Sequence, residues 1–519
     1  MKQAIHIFLK DARYLWVEIL ISLLVTAGFA LEFPNTWLWH DTMLDSGGAH
    51  KRLVYLAETL TVLMPLSWWL LIARVVHAET LIGDRQFWVT KPYEWRKLLM
   101  AKLLFIAVFI YVPYLASQWV LLVEAGFKPL SYLGGIEFNL ALLTGALIVP
   151  LLAIAAVTLN FGRMTLAMLA IIAYIAGVAY LVSTFGQSSA SAPYSDRYSI
   201  PVLLVVLGSV IVLQYARRRT LLAWLLLASA AVAITAVVAI LPTQGMVDTA
   251  YPLPGNAWDV PLQLSFSADT EKGIQIGGGE DDRQVDLQIP LEGSGVAAGF
   301  AVMIDNVRAT LDGANGAHLA LPWQSVYNYQ FLPGEYDAVL RIKMKRADFE
   351  KFKASPVKIT LGLALTEVRA GKTTMRGLSK EAFSAGGPGL CPTGIWTGGE
   401  EFGGSECLVP LRQPDLTYIQ VRDTSGACTN SEDGESQAPA SGWVGGLDND
   451  AAELNLTPVL TTSIYLKNNR NQTVEPRCPG ASVSFTPYSV ARRVRTQLTI
   501  ATTRLVKPDS SSRLLVIPH

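Results

Sequence analysis

Charge is scarce in this 519-residue chain: only 16% of residues are charged, and 42 Lys and Arg balance 42 Asp and Glu. The balance excludes a polyanion binder held by bulk charge, so no nucleic-acid partner is expected. Histidine is rarer still, at 6 residues, and beyond residue 241 only His318 and His519 remain. No Ser/His/Asp nucleophilic set can be assembled there. Cysteine is absent from residues 1–241, and all four cysteines, Cys391, Cys407, Cys428 and Cys478, come later without any Cys-x-x-Cys pair, which argues against zinc. Other motifs are equally incomplete. Ala370-Gly371-Lys372-Thr373-Thr374 looks like the end of a phosphate-binding loop, but Thr366 stands where that loop needs its first glycine. Gly277-Gly278-Gly279 followed by Glu280, Asp281 and Asp282 lacks the spaced ligands of a calcium loop and reads as an acidic hairpin tip. His40, Asp41, Asp45 and His50 share one connection with nothing to orient them on a metal. The expectation is a chain with no catalytic residues, no metal site and no cofactor.

What the chain has in abundance is apolar residues, at 51% of the total. They gather into runs long enough to cross a bilayer core, which takes about 20 helical residues. Seven such runs precede residue 242: Trp16 to Phe33, Leu53 to His77, Leu98 to Val123, Phe138 to Phe161, Met164 to Phe185, Ile200 to Ala216, and Leu221 to Leu241. The sixth is short and only Gly162 and Arg163 break the fourth from the fifth, so six and eight are the alternative counts. Residues 1–241 hold 17 Lys/Arg and 12 Asp/Glu, against 25 and 30 in residues 242–519, so the boundary near Leu241 separates two solvents.

Positive residues in short connections mark the cytoplasmic side. Lys2, Lys10 and Arg13 precede the first run; Arg74, Arg85, Lys91, Arg96, Lys97 and Lys102 fill the second connection; Arg163 marks the fourth and Arg217, Arg218 and Arg219 the sixth. With seven spans all four lie on one face, which predicts a cytoplasmic amino terminus, an extracytoplasmic carboxyl half and an inner-membrane location. Lys51 and Arg52 are the exception. Cysteine placement agrees, because disulfides persist in oxidising compartments. Four cysteines allow three pairings; Cys391 with Cys407 and Cys428 with Cys478 is the favoured one, and four free thiols is the alternative. Cleavage of a signal peptide near Gly28-Phe29-Ala30 would spoil this agreement and is not expected. Residues 1–15 read as an amphipathic interfacial helix, with Ile5, Phe8, Leu9, Ala12 and Trp16 on its apolar stripe and Lys2, Lys10, Asp11 and Arg13 elsewhere.

After Thr243 the pattern changes to short alternating and β-branched runs bounded by Gly, Pro, Asn and Asp, as in an all-β region. Examples are Val260 to Phe266, Gln284 to Ile289, Tyr336 to Met344, Val357 to Leu365, Thr417 to Val421, Ser482 to Thr486 and Arg495 to Ala501, with one helix at Ala347 to Lys353. The tail is too long for one comfortable sandwich, so two β-sandwich-like modules are expected, residues 242–375 and 376–519, the second carrying the disulfides. The fold class is thus a polytopic α-helical membrane domain (16–241) followed by an all-β extracytoplasmic region.

The most informative segment is the long connection of residues 74–102, which holds Glu79, Gly83, Phe87, Trp88, Thr90, Lys91, Pro92, Arg96 and Lys102. An acid, a glycine, a Thr-Lys-Pro step, and then Arg and a Lys opening the next span, all behind an amphipathic helix and two spans, resemble the permease subunits of ABC-2 type transporters. The resemblance covers residues 1–241. It implies that this stretch touches a separate cytoplasmic ABC ATP-binding subunit, and that the chain works as a homodimer or heterodimer in the lipid bilayer. Phe87 and Trp88 would form an apolar docking knob among cations; the bland alternative is that these aromatics only meet lipid headgroups. The family's usual plan has six spans with both termini inside, whereas this chain shows seven runs and a β-rich tail. Pro65, Pro113 and Pro150 are expected to bend or break three spans, and Glu58 and Gln118 are polar groups at bilayer depth. The expected function is the permease subunit of an ATP-driven transporter of unidentified substrate. The rival is a membrane-anchored binding or sensing protein that recognises its ligand through the β region.

Overall fold

A computed structural model describes residues 2–37, 49–79, 94–185, 192–240, 243–253, 263–266, 274–278, 284–331, 337–352, 355–377, 382–384, 390–392, 405–411, 416–422, 440–444, 456–464, 482–503 and 505–506. They form two compact units that do not follow chain order: residues 1–184, 196–239 and 372–487 in one, residues 185–195, 240–371 and 488–519 in the other.

The first unit is built on helices α1 (Lys2–Tyr14), α2 (Trp16–Glu32), α3 (Ala49–His77), α4 (Trp95–Glu124), α5 (Pro129–Val157), α6 (Phe161–Phe185), α7 (Ala192–Arg217) and α8 (Thr220–Ile240). Each of the seven expected apolar runs lies mainly in one of α2 to α8. The helix is what such runs require, because inside a bilayer every backbone polar group must be satisfied within its own segment. Among the described residues, five helical stretches are long and apolar enough to cross a membrane: Trp16–Thr36, Arg52–His77, Trp95–Glu124, Pro129–Val157 and Phe161–Val178. Helices α7 and α8 contribute the shorter apolar stretches Leu203–Arg217 and Thr220–Ala233. Large apolar side chains such as Leu24, Leu31, Leu166, Leu169 and Leu221 face outward, a surface suited to lipid and not to water.

Two of the three expected proline sites are resolved into π-helical turns. In α4 the turn Ala107–Tyr111 closes with the Val112 N–H donating to the Ala107 carbonyl, directly before Pro113. In α5 the turn Thr144–Ile148 closes with Val149 donating to Thr144, directly before Pro150. Proline has no N–H to donate and its ring crowds the preceding turn, so a widened turn with bonds five residues back accommodates it without ending the helix. The two turns meet: Thr144 Oγ1 donates to the Leu140 carbonyl and lies 2.7 Å from the Tyr111 hydroxyl. Pro65 sits inside α3 without such a turn.

The second unit begins with the short helix α9 (Thr243–Ala250), whose Val247, with Tyr251 just beyond it, packs on Trp323 and Ala364. Strands β1 (Gln263–Phe266), β2 (Ile274–Gly278), β3 (Gln284–Ser294), β4 (Phe300–Gly313), β5 (His318–Ala320), β6 (Gln324–Phe331), β7 (Asp337–Lys345) and β8 (Val357–Ala370) follow, with α10 (Arg346–Phe352) between the last two. Strand β3 pairs with β1, β2 and β7, and β4 with β5, β6 and β8, all antiparallel. The two groups pack face to face over Leu287, Ile289, Leu340 and Ile342 on one side and Val307, Leu311, Ile359 and Leu361 on the other. The unit also takes in residues 488–519. In its central strand β4, absent from the example strands, a bulge between Ile304 and Asn306 shifts the alternation midway, so no unbroken period of two exists to be read.

In the first unit lie β9 (Thr374–Gly377), β10 (Ala382–Ser384), β11 (Leu390–Pro392), β12 (Ser405–Pro410), β13 (Leu416–Arg422), β14 (Ala440–Val444) and β15 (Val459–Ile464), paired as β10 with β11, β12 with β15 and β13 with β14. The long β16 (Ser482–Thr503) merges two expected strands; residues 482–485 pair with β9, and residues 488–503 pair with β8. Finally β17 (Leu505–Val506) pairs with β2 in parallel.

Candidate functional site

Helix α1 carries three sectors. Ala4, Ile7, Asp11 and Leu15, just past its end, are buried, whereas Ile5, Leu9 and Trp16, which opens α2, are 48%, 47% and 61% exposed. Spacings of three and four residues put each set on one line of the helix. One line thus faces the bundle, the second is an exposed apolar line fit for lipid, and Lys2, His6 and Arg13 hold the third. Phe8 sits at the edge of the buried line, its ring 5.8 Å from that of Phe109.

The buried line delivers an acid into the protein. Asp11 lies 1% exposed against Lys102, itself 1% exposed, with Nζ 2.7 Å from Oδ2. The same ammonium is 3.2 Å from Glu79 Oε2, and Lys10 donates to Glu79 Oε1 at 2.7 Å while lying 3.8 Å from Asp11 Oδ1. Two acids and two lysines make a charge-balanced set, in which Lys102 and Asp11 are buried and Lys10 is half exposed. Tyr215 of α7 is fully buried within electrostatic reach of both acids. Burial raises the Glu79 carboxyl, but Lys102 and Lys10 outweigh it and hold the group below its ordinary value of 4.5. A depressed folded value means stability that is complete above 4.5 and is lost as the pH falls through the lower folded value. We therefore expect the purified chain to lose thermal stability on acidification below about pH 4.5, and Glu79→Gln to flatten that dependence. An unchanged acid limb in this variant would contradict the assignment.

Helix α3 is the hub of this end of the bundle. Its last turn and the residues after it hold α2 through Arg74 Nε to Glu18 Oε1 at 3.2 Å, and α1 and α4 through Glu79. They also hold α5, with His77 Nε2 3.2 Å from both the Ala155 carbonyl oxygen and Thr158 Oγ1. The chain leaves this hub at Glu79 and returns at Glu94, whose carboxylate accepts from Lys97 Nζ at 2.8 Å. Of the residues expected to couple, Glu79 and Lys102 meet directly. Arg96 is apart from them, its guanidinium 5.4 Å from the Trp95 ring centre. Gly83, Phe87, Trp88, Thr90, Lys91 and Pro92 lie outside the described residues. Asp11 and Lys10 were not expected; the one available signal was an acid at the fourth residue from both Ile7 and Leu15.

A second polar set occupies the far end of α4, sixteen residues and about 24 Å from Lys102. Gln118, 0% exposed, donates through Nε2 to the Leu456 carbonyl at 2.7 Å. Asn139 of α5, 1% exposed, donates through Nδ2 to the Tyr114 hydroxyl at 2.9 Å, to Gln118 Oε1 at 3.3 Å and to the Thr457 carbonyl at 3.5 Å. Leu408 of β12 and Val459 of β15 join the helical core. At Gly135 a side chain would stand 2.5 Å from the Leu411 carbonyl oxygen, so only glycine admits this approach. Gln118, expected at bilayer depth, thus serves as an anchor for the β-rich segment; Glu58 is exposed on α3.

The remaining expected sites are placed as follows. Cys391 lies in β11 opposite Phe383 and Cys407 in β12 opposite Thr462; Cys428 and Cys478 lie outside the described residues. So do His40, Asp41, Asp45, Gly279 and Glu280 to Asp282. Lys372 is exposed between β8 and β9, where the neighbouring Thr373 hydroxyl bonds that of Thr486 at 2.9 Å. Among the described residues no group of three or more His, Cys, Asp or Glu could hold a metal ion.

The described residues thus define a chain with five helical stretches long and apolar enough to cross a membrane, followed by a β-rich region in mainly antiparallel sheets. No family model matches the chain, and no curated protein matches it.

Proposed function

We propose that this chain is the membrane permease subunit of an ATP-driven transporter of the ABC-2 type, with ATP hydrolysed by a separate cytoplasmic subunit. The observation that carries the reading is the hub at the end of α3. The segment between Glu79 and Glu94 leaves from an end tied by charge to α1 and α4, close to the ties to α2 and α5. A partner docking on Phe87 and Trp88 would load four helices at once, which is what a transmission element requires. The cluster at Lys102 and the anchor at Gln118 lie at opposite ends of one span, which supports a cytoplasmic α1 and an extracytoplasmic β region, in keeping with the basic connections. In that compartment the four cysteines would pair as disulfides. The subunit works in the inner membrane as a homodimer or heterodimer.

Affinity purification in mild detergent tests this reading. An ATP-binding protein should copurify with the full chain, and Phe87→Ala/Trp88→Ala should reduce its recovery at least about tenfold, the loss of an aromatic hot spot. Partners recovered only through the β region, unchanged by the double substitution, would favour the anchored receptor.

A further inference from the structure

Where α4 and α5 meet residues 456–459, two buried side-chain amides hold main chain. The Leu456 carbonyl can only accept, so it fixes Gln118 with Nε2 donating to it at 2.7 Å and Oε1 toward Asn139. That oxygen and the Thr457 carbonyl, two more acceptors, fix Asn139 in turn, with Nδ2 3.3 Å from the first, 3.5 Å from the second and 2.9 Å from the Tyr114 hydroxyl. Two amides from two helices thus hold two successive main-chain carbonyls. Gln118, Asn139 and Tyr114 are all buried. Leu456 packs against the helical core beside them, and Val459 is buried within it. Successive carbonyls flanked by apolar side chains are what a peptide presents to a receptor, and here residues 456–459 are that peptide.

The segment leaves the site incompletely filled. With Asn139 oriented in this way, its Oδ1 is buried with no hydrogen-bond donor among the described residues, and its bond to Thr457, at 3.5 Å, is well past the common distance of about 3 Å. A buried acceptor without a donor has lost its hydration and gained nothing for it. No wider sheet holds the segment either. Strands β12 and β15 pair with each other and, among the described strands, with no third, and a two-stranded ribbon is marginal by itself. Its place depends on the helices.

We propose that Gln118, Asn139 and Tyr114 form a binding site for a short apolar peptide segment, which residues 456–459 of the same chain occupy as a displaceable stand-in. A free peptide brings N–H donors beside its carbonyls, and one of them on Asn139 Oδ1 completes the site. The proposal concerns binding by this chain alone, so it stands or falls independently of any ATP-hydrolysing partner.

The test uses the full chain in mild detergent and a fluorescent, acetylated and amidated peptide of residues 456–463, with binding read by anisotropy. The tethered segment competes with the probe, so loosening it should raise the probe's affinity. Gly135→Ala, which crowds Leu411 and no residue of the probe, and Val459→Asp, which loosens the segment from its own side, should each raise it about tenfold; Gly134→Ala should leave it unchanged. In either loosened background, Gln118→Leu and Asn139→Leu, similar in shape but unable to bond a carbonyl, should each lower it about tenfold. A scrambled peptide of the same composition should not compete. Hydrogen exchange across residues 456–464 reports whether the segment has left the site. Release without probe binding would overturn the proposal and leave the contact a structural anchor only. Binding that survives both leucine substitutions would be apolar adsorption and would overturn it too, and so would a segment that neither Gly135→Ala nor Val459→Asp releases, since it would not be displaceable.

Discussion

Lys102→Met is expected to destabilise the purified chain by about 3–5 kcal/mol, the cost of leaving buried charge uncompensated. The ammonium is 1% exposed and serves two carboxylates from different parts of the chain, Asp11 at 2.7 Å and Glu79 at 3.2 Å. Its removal leaves those two acids facing Lys10 alone. One of them must then take up a proton, so the variant should regain stability on mild acidification, opposite in sign to the acid loss expected of the unmodified chain. Lys102→Met combined with Asp11→Asn restores neutrality and should recover most of the loss, because replacing both members of a buried pair is far milder than removing one. Thermal unfolding of the two single variants and the double variant, in one detergent, gives the coupling directly. Additive effects would mean that Asp11 and Lys102 do not depend on each other.

The second large effect is expected at Gly135. An alanine there would drive a methyl group to 2.5 Å from the Leu411 carbonyl oxygen, a backbone atom that cannot swing aside. The β12 and β15 segment must move off the helices or α5 must shift, at about 1–3 kcal/mol for an overpacked site. Gly134→Ala is the matched control, since nothing lies within 4 Å of its added carbon. In a helix that change is neutral or gains up to about 1 kcal/mol. Hydrogen exchange should separate the two. Gly135→Ala should speed exchange across residues 456–464, where Leu456 and Thr457 lose their hold on Gln118 and Asn139, and Gly134→Ala should leave it unchanged. Equal exchange in both variants would contradict the close approach.

What could be read from the chain, and what could not, divides by the range of the interaction. Runs such as Leu98 to Val123 announce a helix because a bilayer leaves the backbone no alternative. The β-branched alternation of residues 357–365 announces β8 for a similarly local reason. Pro113 and Pro150 are legible as expected bends or breaks, whereas the π-helical turns before them, joined through Tyr111 and Thr144, are not. Glu79 and Lys102 were found through a resemblance, not through spacing. Their partners were hidden: Lys10 is 69 residues from Glu79 and Asp11 is 91 from Lys102, separations no periodicity encodes. The stripe of Ile5, Phe8, Leu9, Ala12 and Trp16 leaves Asp11 elsewhere on α1, yet Asp11 shares the buried line of Ala4 and Ile7. With lipid as a second apolar surface, the larger stripe faces outward. One bulge breaks the alternation of strand β4, and nothing local in Gln118 or Gly135 signals the strands that dock on them.

The central claim is that the segment between Glu79 and Glu94 receives an ATP-hydrolysing partner and passes its motion into the α3 hub. Replacing Trp88 with a photo-crosslinking amino acid in the full chain, irradiating intact cells and identifying the adduct by mass spectrometry tests it most directly. The account predicts a crosslinked ATP-binding protein that is lost when Phe87 is also changed to Ala. Adducts to lipid alone, from a chain that is otherwise folded and inserted, would contradict it.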